Sequence, residues 1–144
     1  MKNDEVLFAS ATEIASMAKG VTYINNSSKC ITSVAISSKD AVQGSLFVAL
    51  KGAKVDGHDF IGDAIRNGAV AVLANEKQTY KCIRQMMGKP CSLIIVQDTL
   101  EGLQSLARNY AAKCNAQMIG ITGSCGKTTT KEMTSRFLGR GRRI

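Results

Sequence analysis

Ser45-Leu46-Phe47-Val48-Ala49-Leu50 and, after a polar loop and a helical stretch, Ala69-Val70-Ala71-Val72-Leu73 decide the fold. Each run is almost uninterruptedly apolar and too short for a helix, the pattern of a strand covered on both faces. Between them, residues 51–58 form a loop that contains Gly52 and Asp56-Gly57. Residues 59–67 then set Phe60, Ile61, Ala64 and Ile65 on one face and stop at Gly68. That is a helix with a glycine at its C-terminal end. Strand, helix and strand in this order predict a parallel crossover.

The same alternation continues outward. Residues 77–87 read as a weaker helix closed by Gly88 and Pro90, and residues 92–96 as a strand. Asp98-Thr99-Leu100-Glu101 opens a helix of the capping kind, with Leu100, Leu103, Leu106 and Ala107 as its stripe, ending near Cys114. Toward the N-terminus, Ser10-Ala11-Thr12-Glu13 fits a capping box ahead of a helix that Gly20 stops. Strands follow at residues 21–24 and 31–36, around a turn at residues 25–28, and residues 37–44 form a polar loop. Residues 117–122 read as one more buried strand, followed by a glycine loop and a helix from about Thr128. The expectation is an α/β protein with a mostly parallel sheet. Residues 1–115 form one domain, and residues 116–144 open a second that ends in a Gly/Arg tail.

Composition narrows the classes. The chain has 144 residues, 44% hydrophobic and 21% charged, values of an ordinary globular protein. No apolar run approaches the roughly 20 residues of a membrane-spanning helix, and the acidic start Asp4-Glu5 argues against a secretory signal. The net charge of +8 is local: residues 116–144 hold six basic residues and one acid, residues 1–115 thirteen and ten. With no Trp and no aromatic residues interleaved with a basic stripe, nucleic acid is not an expected partner. Five cysteines without a C-x-x-C pair, and His58 as the lone histidine, do not make a zinc site. An odd cysteine count points to the reducing cytoplasm.

The chemistry concentrates in Thr122-Gly123-Ser124-Cys125-Gly126-Lys127-Thr128-Thr129-Thr130. Glycines let backbone N–H groups turn inward around a phosphate, and a helix N-terminus favours the negative charge. A lysine supplies a mobile cation for the β/γ-phosphates, and the hydroxyl after it can hold Mg²⁺. Gly123, Ser124, Cys125, Gly126, Lys127, Thr128 and Thr129 are therefore the candidate nucleotide-binding residues, with Lys127 catalytic and Thr128 the metal ligand. The strict phosphate-loop pattern would put glycine where Ile121 stands, so the loop is a variant. Cys125 reads as a tolerated loop residue.

The loop, extended through Lys131-Glu132, resembles the ATP loop of the Mur ligases, cytoplasmic enzymes that build the peptidoglycan precursor. Gly44-Ser45-Leu46-Phe47-Val48-Ala49-Leu50-Lys51-Gly52, Asp56-Gly57-His58-Asp59-Phe60-Ile61 and Ala64-Ile65 before Gly68-Ala69 resemble that family's UDP-sugar-binding domain. Ser37-Ser38-Lys39 stands where the family has Asp-Ser-Arg, so the acid is lost and lysine replaces the bidentate arginine fork.

The resemblance implies that Ser37, Ser38, Lys39, Gly52 and His58 serve UDP-sugar binding, His58 in a structural or UDP-proximal role. It also implies ATP and Mg²⁺ as cofactors and amide formation through an acyl phosphate. The loop and residues 96–107 look most like the member that joins UDP-N-acetylmuramoyl-tripeptide to D-alanyl-D-alanine. The alternatives are the sibling that adds the third amino acid, diaminopimelate or lysine, and a non-catalytic nucleotide-binding module. The chain is expected to be a monomer off the membrane, and an N-terminal fragment of the ligase that is inactive alone.

Overall fold

A computed structural model describes residues 9–26, 29–114 and 119–138. The chain divides into two compact units, Met1–Cys114 and Asn115–Ile144. In the first, α1 (Ala11–Met17) and β1 (Val21–Ile24) precede β2 (Ser33–Ala35) and β3 (Ser45–Val48). Then come α2 (Ile61–Arg66), β4 (Ala71–Asn75), α3 (Thr79–Met86), β5 (Ser92–Val96) and α4 (Thr99–Lys113).

The five strands form one sheet in the order β1-β5-β4-β3-β2. Four are parallel, with Val34 opposite Leu46, Phe47 opposite Val72 and Leu73 opposite Ile94. β1 lies antiparallel against β5, with Val21 opposite Ile95. Alternation along each strand splits the core in two. Leu46, Val48, Leu73, Ile94 and Val96 face α1 and α4, where Ile14, Met17 and Leu106 complete one cluster. Phe47, Ala49, Val72, Ala74 and Leu93 join Ile61, Ala64, Cys82 and Met86 of α2 and α3 in the other. Burying each large side chain contributes about 1.5–3 kcal/mol. Both faces are covered, which is why these strands read as continuous apolar runs.

The caps behave as local chemistry dictates. Ser10 and Glu13 complete the capping box of α1, and the Asp98 carboxylate accepts from Leu100 N (2.8 Å) and Glu101 N (2.9 Å) at the start of α4. Gly20 departs from its expected role. The left-handed residue that ends α1 is Lys19, at φ 56°. Gly20 is required by a close approach instead, because a Cβ there would sit 2.7 Å from both Ile95 O and Val96 Cγ1.

Several boundaries shift. The strand expected at residues 31–36 shortens to β2, and Ile31 instead makes an isolated antiparallel bridge with Ala9. The loop at residues 37–44 contains a 3-10 turn, Ser38–Asp40. The helices expected over 59–67 and 77–87 begin instead as 3-10 turns, Gly57–Phe60 and Glu76–Gln78.

In the second unit, α5 spans Lys127–Leu138 with none of its residues buried. The strand expected at residues 117–122 is not formed over residues 119–122. A strand exists only through ladder bonds to a neighbour, and among the described residues none pairs with this segment. Residues 117–118, half of the turn at residues 25–28 and the Gly/Arg tail at residues 139–144 lie outside the described residues.

Candidate functional site

Ser37, Ser38, Lys39 and Gly52 line one cleft of about 440 Å³, together with the apolar side chains of Phe47 and Leu50. One wall is the 3-10 turn, where the Ser37 hydroxyl accepts from Lys39 N (3.3 Å) and Asn67 Nδ2 donates to Ser38 O (2.8 Å). The other wall is the loop after β3. Gly52 N donates to Val55 O (2.9 Å), Gly57 N donates to Leu50 O (2.8 Å), and Lys51 bridges Asp56. The cleft thus opens beyond the carboxyl end of β3, where parallel α/β sheets present ligand sites.

His58 is not among the residues lining that cleft. It is 2% exposed, with Nδ1 2.6 Å from Asp56 Oδ1 and Nε2 accepting from Asn75 N at 3.0 Å. A nitrogen that accepts from an N–H carries no proton, so the ring is neutral with its hydrogen on Nδ1, donated to Asp56. Burial pushes the Asp56 carboxyl up, but hydrogen bonds from the His58 backbone and ring, with the charge of Lys81, outweigh it and hold the group below its ordinary value. The geometry makes His58 an anchor of the loop behind the cleft.

In the second unit, Gly123 (φ 154°) and Gly126 (φ 77°) adopt conformations that side-chain-bearing residues rarely take. Thr130 N donates to Gly126 O at 2.9 Å as α5 begins. The Lys127 ammonium donates to the Gly123 carbonyl, so it lies over the loop. Cys125 is an exposed free thiol. Thr128 and Thr129 occupy the first helical turn, which contains no acid. Glycine-freed amides, an acid-free helix start and one lysine fit a phosphate group. Among the described residues no cluster of three His, Cys, Asp or Glu offers a metal site. The Thr128 hydroxyl, on the first turn of α5, is the group that could hold Mg²⁺ beside a phosphate.

Sequence reasoning missed a larger cleft of about 610 Å³, lined by Glu76, Gln97, Asp98, Glu101 and Arg108 at the carboxyl ends of β4 and β5. The signal for it is topological: α3 covers one face of the sheet and α4 the other, so the crossovers diverge between these two strands.

A family model described as "Mur ligase family, catalytic domain" matches residues 30–111. The UDP-N-acetylmuramoyl-tripeptide--D-alanyl-D-alanine ligase of Treponema pallidum is 45% identical over 107 residues, covering 69% of this chain and 22% of that protein. The UDP-N-acetylmuramoyl-L-alanyl-D-glutamate--2,6-diaminopimelate ligase of Cytophaga hutchinsonii is 33% identical over 109 residues, covering 74% and 21%. Among solved structures, MurF from Acinetobacter baumannii superposes with a TM-score of 0.73 at 27% identity, covering 94% of this chain and 29% of that one. The MurF ligase of Thermotoga maritima in complex with ADP gives 0.59 at 37% identity, covering 76% and 23%. The chain spans about a quarter of the length of the relatives it matches. A family match over more than half the residues, joined to the same five-stranded fold, leads to one conclusion: the chain belongs to the Mur ligase family.

Proposed function

We propose that this chain is the N-terminal part of an ATP-dependent ligase that joins D-alanyl-D-alanine to UDP-N-acetylmuramoyl-tripeptide in the cytoplasm. Its first unit binds the UDP-sugar, and its second opens the nucleotide-binding domain. One observation carries the reading: Ser37, Ser38 and Lys39, separated in sequence from Gly52, line the same cleft. The predominance of D-alanyl-D-alanine ligases among the similar proteins supports this member over the diaminopimelate-adding sibling.

In the cleft, the Ser37 and Ser38 hydroxyls and the Lys39 ammonium would hold the diphosphate, with Gly52 allowing close backbone approach. In the loop, Gly123, Ser124, Cys125, Gly126 and Thr129 would wrap the ATP phosphates with backbone N–H groups. Lys127 would leave the Gly123 carbonyl for the β/γ-phosphates. Thr128 would offer its hydroxyl to Mg²⁺, which when bound neutralises charge as the phosphoryl group moves to the substrate carboxylate. Removing one such preorganised cation costs on the order of 10²–10³ in rate.

Nitrogen-15 NMR titration tests both halves. UDP at roughly 1 mM, where a ligand worth about −4 kcal/mol half-saturates, should shift Ser38, Lys39 and Gly52. Mg·ADP should shift residues 123–129, and Lys127→Ala should weaken the second response while sparing the first. Absence of both sets of shifts would refute the reading.

A further inference from the structure

We propose that His58 is a positioning residue, a neutral and proton-sensitive latch that holds the cleft-lining loop against β4 and so sets the affinity of the cleft. Four contacts converge on it. Asp56 Oδ1 accepts from both His58 N (2.9 Å) and the ring Nδ1 (2.6 Å), fixing the ring in one tautomer. The opposite nitrogen, Nε2, accepts from Asn75 N at the end of β4. Gln85 of α3 donates through Nε2 to His58 O (2.6 Å), while its Oε1 accepts from Gly62 N of α2 (3.1 Å). The buried ring therefore ties the loop to β4, and its own carbonyl ties the same segment to α3.

The loop so held is the wall that carries Gly52, Val55 and Gly57 into the cleft. The backbone of Asp56 pairs with that of Lys51, next to Gly52, through the Gly52–Val55 and Gly57–Leu50 hydrogen bonds. Displacing His58 therefore loosens the Asp56–Gly57 arm of that wall, against which Gly52 is paired, without touching any residue offered to the ligand.

The proton sensitivity follows from the tautomer. Protonating Nε2 turns an acceptor into a donor that faces the donor N–H of Asn75, and a buried N–H without a partner is unfavourable. The charged groups around the ring are Asp56 and Asp59 on its own segment and Lys81 on α3, whose ammonium is 2.5 Å from Asp59. β4 brings the uncharged Asn75, and α3 adds Gln85 and the buried thiol of Cys82. Asp56 favours the imidazolium, whereas the Asn75 N–H opposes it. The latched geometry requires Nε2 without a proton, and protonating it breaks the bond from Asn75.

The role in affinity rests on the proposed reading of the cleft as a diphosphate site, so the test has one arm that needs no ligand. Amide exchange and UDP titration are followed by NMR on the 144-residue chain, its His58→Phe variant and its His58→Gln variant. Measurements are made at about pH 7.5 and about pH 5.5. His58→Phe fills the space but offers no acceptor. It should speed exchange at Asn75 and Gly57 by about tenfold or more relative to β5, and weaken UDP binding about tenfold.

His58→Gln can accept from Asn75 without titrating. It should bind within about threefold of the parent chain at the higher pH and lack the parent's extra weakening in acid. Comparing chains at one pH cancels the titration of UDP itself. Parent-like exchange at Asn75 and Gly57 in His58→Phe overturns the latch, whatever the ligand does. If His58→Phe does not fold, an acid response in His58→Gln equal to the parent's overturns it. A parent chain whose cleft amides ignore UDP, with the exchange effect intact, overturns the role in affinity and locates the error in the reading of the cleft.

Discussion

Placing the same methyl group on two glycines of one loop–helix segment should move stability in opposite directions. At Gly57 a Cβ would lie 2.7 Å from Leu50 O, 2.8 Å from Leu50 N and 3.1 Å from Ala49 C. All three atoms are backbone at the end of β3, so no rotamer can relieve the clash. The loop must open, and the Gly57–Leu50 hydrogen bond of 2.8 Å goes with it. Overpacking against rigid atoms costs about 1–3 kcal/mol. At Gly62, inside α2, the nearest atoms are the ends of flexible side chains: Gln85 Oε1 at 3.6 Å, Lys89 Nζ at 3.9 Å and Arg66 Nη1 at 4.0 Å. There the methyl fits, and replacing glycine within a helix gains about 0.5–1 kcal/mol.

Urea denaturation reads both changes. With a slope of about 1.5 kcal/mol per molar for a unit of this size, Gly57→Ala should lower the midpoint by about 0.7–2 M. Gly62→Ala should raise it by about 0.3–0.7 M on the same scale. Gly57→Ala should also erase the UDP-induced shift at Gly52, because the wall it sits on has moved. A Gly57→Ala midpoint equal to the parent's would show that the loop does not approach Leu50 as described, and the geometry of the cleft would fall with it.

Asp98→Ala should cost about 1 kcal/mol, since one carboxylate satisfies two amides of α4; a urea midpoint that does not fall would count against the cap. Ser92→Ala should hold or raise the midpoint, by up to about 1 kcal/mol, because the Ser92 hydroxyl is buried without a partner among the described residues; a clear loss would reveal a bond to water. Burial pushes the Cys82 thiol up to about 11 and the Cys91 thiol up to about 12, from 9.0. The unfolded thiols ionise first, so stability is full below pH 9 and declines as pH rises from 9 through 11 and 12. Melts of the Cys82→Ala, Cys91→Ala double variant should lose part of that alkaline slope, and an unchanged slope would refute the assignment.

The elements legible in the sequence are those set by neighbours along the chain. Ser10 and Asp98 cap their helices through bonds spanning two or three residues. The apolar runs at 45–50, 69–73 and 92–96 announce strands because cover on both faces removes the polar alternation. The glycine loop and Lys127 could be read as phosphate chemistry for the same reason, since loop, lysine and helix start are contiguous.

Tertiary structure decided what depends on partners far away in the chain. β1 lies at the sheet edge, antiparallel to the last strand of its unit, a choice its own four residues do not encode. Gly20 reads locally as a helix stop, yet its lack of a side chain matters because β5 passes within contact distance. His58 reads as a polar loop residue, and only the arrival of Asn75 and Gln85 turns it into a buried neutral anchor. Residues 119–122 have the composition of a strand without its structure, because ladder bonds need a neighbour that composition cannot supply. Local bonds are written in adjacent residues, whereas pairing, burial and the closing of a cleft are set by which distant segments arrive beside them.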